Sequence, residues 1–177
     1  YKDCIYVMPG DNMISLEMRV TKRNGSTEEV SFDKILNRVK LLGLRKHPQL
    51  VLNYSQLIMK VIDQLYTDIP TRIIDELTAE QCASLSTKHL DYGILASRII
   101  ISNNHKNTDS LFYNTVHKLY HFTDIHNKKI PLIDKDVWKI VETHKDTLET
   151  MIDYSRDDLI DYFGFKTLER AYLMRAD

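Results

Sequence analysis

The sequence predicts a mainly α fold of the α+β type: a four-helix bundle capped by a small β-sheet or hairpin, followed by a further helical segment. Three observations predict it. Leu16, Met18, Val20, Val30 and Phe32 all fall on even positions around Asn24-Gly25. Four successive stretches after Phe32 repeat apolar residues at three- and four-residue steps. The 177-residue chain is 43% hydrophobic, enough for a substantial core.

Residues 1 to 16 lack periodicity and hold the turn cluster Pro9-Gly10-Asp11-Asn12, which reads as a leader or extension. In the hairpin, a two-residue loop would put the apolar sets of the two strands on opposite faces. A three-residue loop with Gly25 left-handed keeps them together, so the odd loop is expected. That register places Lys22 and Glu28 on the inward face with Val20 and Val30, and turns Glu29 outward. Helices follow from Phe32 to Leu42, from an N-cap at Ser55 through Tyr66, and from Pro70-Thr71 onward. In the third, Ile73, Ile74, Leu77 and Leu85 share one arc, with Asp75 projecting away from it. Asp91 is the expected cap of a fourth helix, apolar on nearly every side (Ile94, Leu95, Ala96, Ile99, Ile100, Ile101) and therefore central. Segments at 110–122, 134–143 and 146–154, and one from Asp157 containing Gly164, read as a second helical unit. The division is 1–16 leader, 17–108 first domain, 109–177 helical segment. The chain opens on Tyr1 and closes in a helical stretch without a stop signal, which suggests a piece of something longer.

A net charge of −1 and a pI near 6.7 give no overall pull toward nucleic acid or membrane. No apolar run approaches the ~18 residues of a membrane span, and no signal peptide stands at the start. Two cysteines, Cys4 and Cys82, make neither a disulfide framework nor a zinc site. A reducing, cytoplasmic setting fits.

The chemistry gathers at the hairpin. Lys22, Arg23, Asp33 and Lys34 lie within a short stretch of chain, a composition suited to a triphosphate and a base. The plainer reading is a Lys22/Glu28 cross-strand pair on a partly exposed edge, worth about 0.2–1 kcal/mol. There is no Walker A sequence, so no P-loop is expected. His89 and His105 read as capping or packing residues, because neither has a second ligand at metal spacing. Lys88 reads as a solvated lysine.

The segments TKRNG, FDKI, LTAEQCASLSTKHLDYGILASRI, ISNNHK and YFGFKTLERAYL, in this order and spacing from about Glu17 onward, resemble the amino-terminal part of the large subunit of class I ribonucleotide reductase, eukaryotic and viral type. The resemblance implies an ATP-cone, which binds ATP as activator and dATP as inhibitor, accompanied by Mg²⁺, with no catalytic cofactor in this segment. By motif, it implies that Lys22 and Arg23 are the hairpin's basic pair. Glu28 is the carboxylate that accepts from the adenine amino group, and Asp33, Lys34 and Ile35 open the next helix. Thr71 and Asp75 lie near sugar and phosphates, and Lys106 is a basic residue beyond the fourth helix. For Asp75 a solvated helix carboxylate is the alternative. Glu29 departs from the pattern, since relatives commonly carry arginine there. Implied partners are other large subunits and the radical-generating small subunit, not nucleic acid or membrane. Neither cysteine matches a catalytic motif of the parent enzyme, so this segment should not reduce ribonucleotides alone.

Two other classes are open to the sequence. A nucleotide-sensing transcriptional repressor also carries an ATP-cone, but needs a four-cysteine zinc ribbon ahead of it, where residues 1 to 16 hold only Cys4. A helical interaction module without nucleotide binding would explain the periodicity but not the inward Lys22.

Overall fold

The computed structural model describes residues 18–173; the expected leader, its Pro9-Gly10 turn and Cys4 lie outside them. Strands β1 (Arg19–Thr21) and β2 (Thr27–Glu29) pair antiparallel with Val20 opposite Glu28. Their connection has the odd length that residue parity predicts. The Lys22 N–H donates to the Ser26 carbonyl at 2.8 Å, the Gly25 N–H donates to the Lys22 carbonyl at 2.9 Å, and Gly25 takes φ +82°. That left-handed backbone suits glycine because a Cβ would strain it. A third strand, β3 (Ile69–Pro70), runs parallel to β1 and gives the order β2-β1-β3. Two residues carry no alternation, so nothing in the sequence marks it as a strand.

Helix α1 (Phe32–Leu44) starts where the Ser31 hydroxyl accepts from the Lys34 N–H at 3.3 Å. The next helix, α2, spans Tyr54–Ile62 and corrects the expected cap. Asn53, not Ser55, caps it, its side-chain oxygen accepting from the Gln56 N–H at 3.0 Å. It stops at Ile62 rather than Tyr66 because tighter turns follow, the N–H groups of Gln64 and Leu65 reaching back to Val61 and Ile62. Pro70 then precedes α3 (Thr71–Leu85), where a missing N–H costs nothing. Helix α4 (Leu90–Asn107) is capped by His89, whose Nδ1 accepts from the Asp91 N–H at 3.2 Å. Asp91, the expected cap, lies in the first turn and accepts from the Val51 N–H at 3.3 Å.

The four helices enclose a core centred on Leu57, Ile58, Ala79, Cys82, Leu95, Ala96 and Ile99. Burying Leu57, Ile58, Leu95 and Ile99 contributes about 1.5–3 kcal/mol each. A smaller cluster of Val20, Val61, Ile69 and Ile74 seats the sheet on the bundle. On α4, Leu95, Ala96, Ile99, Ile100 and Ile101 are buried as expected, whereas Ile94 faces outward at 37% exposure. Burial pushes the Cys82 thiol up to about 12, which leaves it a neutral core residue.

One close approach sits at the end of α1. A Cβ added at Gly43 would meet the Tyr54 hydroxyl at 2.1 Å, and that hydroxyl donates to the Leu50 carbonyl at 2.7 Å. Gly43→Ala is therefore expected to destabilise the fold by about 1–3 kcal/mol through overpacking. Adding Tyr54→Phe removes the nearest atom and should recover part of that loss, a comparison that chemical-denaturation midpoints of the single and double variants decide.

Beyond the bundle, α5 (Phe112–Tyr120), α6 (Lys135–Thr143) and α7 (Lys145–Met151) share a small core of Val116, Trp138 and Val141, with Tyr120 stacked on Trp138 at 5.2 Å. A 3₁₀ turn (Tyr154–Leu159) then leads to α8 (Tyr162–Ala171), which returns to the bundle and places Phe165 in its core. His105, read from sequence as capping or packing, instead bonds Asp157 at 2.7 Å. Lys46 bonds Asp158 at 2.6 Å, so two polar contacts tie the 3₁₀ turn to the bundle.

At the α4–α5 connection, hydrogen bonds from Lys118, Asn114 and the Leu111 N–H hold the Asp109 carboxyl down to about 2. An unfolded aspartate titrates at about 3.9, so this contribution is full above that value and is lost as pH falls through about 2. Carboxyl-detected NMR should place its midpoint near 2, and Lys118→Ala should raise it.

Candidate functional site

Between the sheet, α1, the start of α3 and the end of α4 lies a crevice of about 240 Å³. Its apolar wall is Val20, Val30, Ile35 and Ile74, and five cations line it: Lys22, Arg23, Lys34, Arg38 and Lys106. Three carboxylates, Glu28, Glu29 and Asp75, oppose them, so the crevice carries a positive excess. Local structure explains the convergence. The hairpin loop lifts Lys22 and Arg23 over the bundle, the Ser31 cap fixes where Lys34 leaves α1, and Lys106 lies in the last turn of α4.

Glu28 accepts from Lys22 at 2.7 Å and Lys34 at 2.8 Å, both on Oε2. These hydrogen bonds, Lys22 first and then Lys34, hold its carboxyl below the usual range. The expected Lys22/Glu28 pair thus exists, but as a three-membered cluster facing the crevice. Asp75 does not project away from the buried side of α3, and the alternative of a solvated helix carboxylate does not hold: it is 6% exposed. Arg38 grips it at both oxygens, 2.7 and 2.8 Å, and Arg23 lies 3.4 Å away. The buried arc of α3 runs through Ile74, Thr78, Ala79 and Cys82, with Asp75 beside Ile74. This leaves Ile73 and Leu77 only partly covered. A carboxylate so enclosed depends on the hydrogen bonds that Arg38 and Arg23 give it.

Lys106 is the contrasting case. Among the described residues it is the one crevice cation with no carboxylate at ion-pair distance. Partial burial lowers its pKa, and the charges of Arg38 and Arg23 lower it further against the pull of Asp75. Thr71 opens α3 behind Pro70, which supplies no side-chain cap. First-turn N–H groups without a capping side chain, at the positive end of a helix, suit an anion.

Of the residues marked in the sequence, Lys22, Arg23, Glu28, Lys34, Ile35, Thr71, Asp75 and Lys106 all border this crevice, and Asp33 does not. Asp33 is exposed in the first turn of α1, where its charge favours the helix dipole. Glu29 borders the crevice despite its outward parity in the strand. Lys88 lies in a separate groove with Gln56 and Tyr92. Sequence reasoning missed Arg38, although its place one turn after Lys34 on α1 was a usable signal. It also missed Asn103 and Asn107, whose side-chain oxygens accept from Arg23. No group of three or more potential metal ligands occurs among the described residues.

A small sheet over a helical bundle, with basic side chains converging from the lid, α1 and α4 on an uncapped helix start, defines a module suited to a phosphorylated ligand. Residues 18–107 match the sequence profile of the ATP cone domain, and the chain belongs to that family. It is also 44% identical over 165 residues to the ribonucleoside-diphosphate reductase large subunit of Dictyostelium discoideum, which covers 91% of this chain and 19% of that protein. The large subunits of Danio rerio and of Variola virus are each 42% identical, over 90% of this chain and 20% and 21% of their own lengths. The chain thus spans about a fifth of the relatives it matches. Among the described residues no helix is long and apolar enough to cross a membrane.

Proposed function

We propose that this chain is the amino-terminal regulatory part of a ribonucleoside-diphosphate reductase large subunit, and that its crevice binds ATP as activator or dATP as inhibitor of ribonucleotide reduction. The observation that carries the reading is the crevice itself, where cations from three elements converge beside the start of α3 and one of them, Lys106, has no carboxylate partner. Similarity to reductase large subunits over nine-tenths of the chain supports the parent enzyme. The family match over 18–107 supports a regulatory domain at 17–108, and similarity to reductase large subunits over nine-tenths of the chain supports a reductase-body segment at 109–177.

In this reading Lys22, Arg23, Lys34 and Lys106 neutralise the triphosphate, with the α3 N–H groups and the Thr71 hydroxyl donating to phosphate oxygens. Three or four charge-assisted hydrogen bonds at about 1.5–3 kcal/mol each, after desolvation, reach micromolar affinity, about −8 kcal/mol. The adenine amino group donates to Glu28, and the sugar hydroxyl to Asp75. The donor set fits the nucleotide better than it fits a free metal ion, because Glu28 and Asp75 already hold cations. Mg²⁺ would therefore arrive on the phosphates. Radical chemistry belongs to other parts of the subunit, and the setting is cytoplasmic. A hairpin and α1 displaced by the nucleotide would alter a surface through which large subunits associate, with the small subunit as the further partner.

Calorimetric titration with ATP and dATP tests the binding step. The reading expects saturable micromolar binding that Lys34→Ala weakens. Absence of heat for both nucleotides, with Lys34→Ala indistinguishable from wild type, would leave only a helical interaction module. At the level of the whole subunit, identical oligomer distributions at saturating ATP and dATP would contradict the sensor role.

A further inference from the structure

Two guanidinium groups meet one carboxylate in the crevice, and they meet it differently. Arg38, in the middle of α1, uses both ends of its fork on Asp75, Nε to Oδ1 at 2.7 Å and Nη2 to Oδ2 at 2.8 Å. It also reaches the Ser102 hydroxyl on α4 at 3.4 Å. Arg23 comes from the hairpin tip and is only 3.4 Å from Asp75 Oδ2. Its shorter bonds go to the side-chain oxygens of Asn103 and Asn107. Asp75 is almost fully enclosed. A carboxylate at such a place repels an incoming phosphate unless its charge is balanced by a partner that stays when the anion arrives.

We propose that Arg38 is a positioning residue of the nucleotide site: as the fixed counter-ion of Asp75 it neutralises and orients that carboxylate, and so releases Arg23 to transfer from Asp75 to phosphate. This rests on the nucleotide reading above. The planar fork is what permits it, since one guanidinium binds both carboxylate oxygens and fixes the plane in which the remaining lone pairs point. Without Arg38, Asp75 would claim Arg23 and face the phosphates with its charge otherwise unbalanced. Because Arg23 also bonds Asn103 and Asn107, its transfer loosens the hairpin from the last turns of α4, so occupancy of the crevice is felt on the helix that leads to the following segment.

A double-mutant cycle on the full chain decides this, with ATP affinity measured by calorimetry at fixed salt and folding checked by circular dichroism. Arg38→Gln is expected to weaken ATP binding by at least about tenfold, as removal of one partner of an enclosed charge pair does. In an Asp75→Asn background, where no carboxylate needs balancing, the same change should cost less than about threefold. A loss that persists undiminished in that background would make Arg38 a direct phosphate ligand and overturn the proposal. Equal affinity of Arg38→Gln and wild type would overturn it too. Should Arg38→Gln not fold, Arg38→Lys takes its place. It keeps the charge but loses the fork, and the proposal expects weakened binding there as well, again suppressed by Asp75→Asn. Wild-type chain that binds no nucleotide would refute the underlying functional reading instead, and this proposal with it.

Discussion

Replacing Arg98 by Met is expected to destabilise the fold by about 3 kcal/mol, because one buried and two partly buried carbonyl groups lose their donor, at up to about 1–3 kcal/mol for a buried group. Arg98 is 9% exposed, inside the most apolar stretch of α4, and among the described residues no carboxylate lies at ion-pair distance from it. Its Nη1 donates to the Gly43 carbonyl at 2.9 Å and the Leu42 carbonyl at 3.3 Å, and its Nη2 to the Pro48 carbonyl at 2.9 Å. Those carbonyls belong to the C-terminal end of α1 and the loop after it, where the helix dipole is negative and a cation is favoured. The guanidinium thus acts as a clasp between α1, its loop and α4. Denaturant unfolding checks it: a change under about 0.5 kcal/mol would show that water replaces the three bonds, and Arg98→Lys, which cannot span them all, should fall between wild type and Met.

Substitution of Lys106 by Ala is expected to lower affinity for ATP by about ten- to a hundredfold, the loss of one charge-assisted hydrogen bond of about 1.5–3 kcal/mol. The other crevice lysines should cost less, since Lys22 and Lys34 already share Glu28 and give up that bond to reach a phosphate. Lys106 has no such contact to surrender. Its lowered pKa sets a sign as well. Its charge, and with it this share of affinity, is present at neutral pH and is lost as pH rises through a value below that of an ordinary lysine. The gap between wild type and Lys106→Ala should therefore close on the alkaline side. Calorimetry at two pH values reads both effects, and a variant that binds ATP as tightly as wild type at neutral pH would remove Lys106 from the site.

Much of the bundle and most of the crevice were legible in the sequence, for reasons that differ by element. Parity around Asn24-Gly25 gave the odd hairpin loop, because strand side chains alternate with a period of two and only one loop length keeps both apolar sets inward. Helices were legible by their apolar steps, but their ends were not. Asn53 and His89 took the capping positions from Ser55 and Asp91, since a cap is decided by local side-chain geometry that several neighbouring polar residues could satisfy. The burial of Asp75 was not legible, for a deeper reason. A helical arc drawn through apolar residues pushes every charge outward, and nothing in periodicity says that Arg38 and Arg23 make burial of a carboxylate affordable. Arg38 escaped notice for the same reason, since its partner lies 37 residues away on another helix. Strand β3 has only two residues, too few for any pattern.

The central claim is that one cationic crevice under the β lid receives an adenine nucleotide. Backbone NMR of the chain during titration with ATP tests it most directly. The account predicts saturable shift changes concentrated in Lys22 to Ile35, at the start of α3 through Asp75, and around Asn103 to Asn107, with α5 to α7 unmoved. Shifts scattered over the surface, or centred away from those three segments, would contradict it.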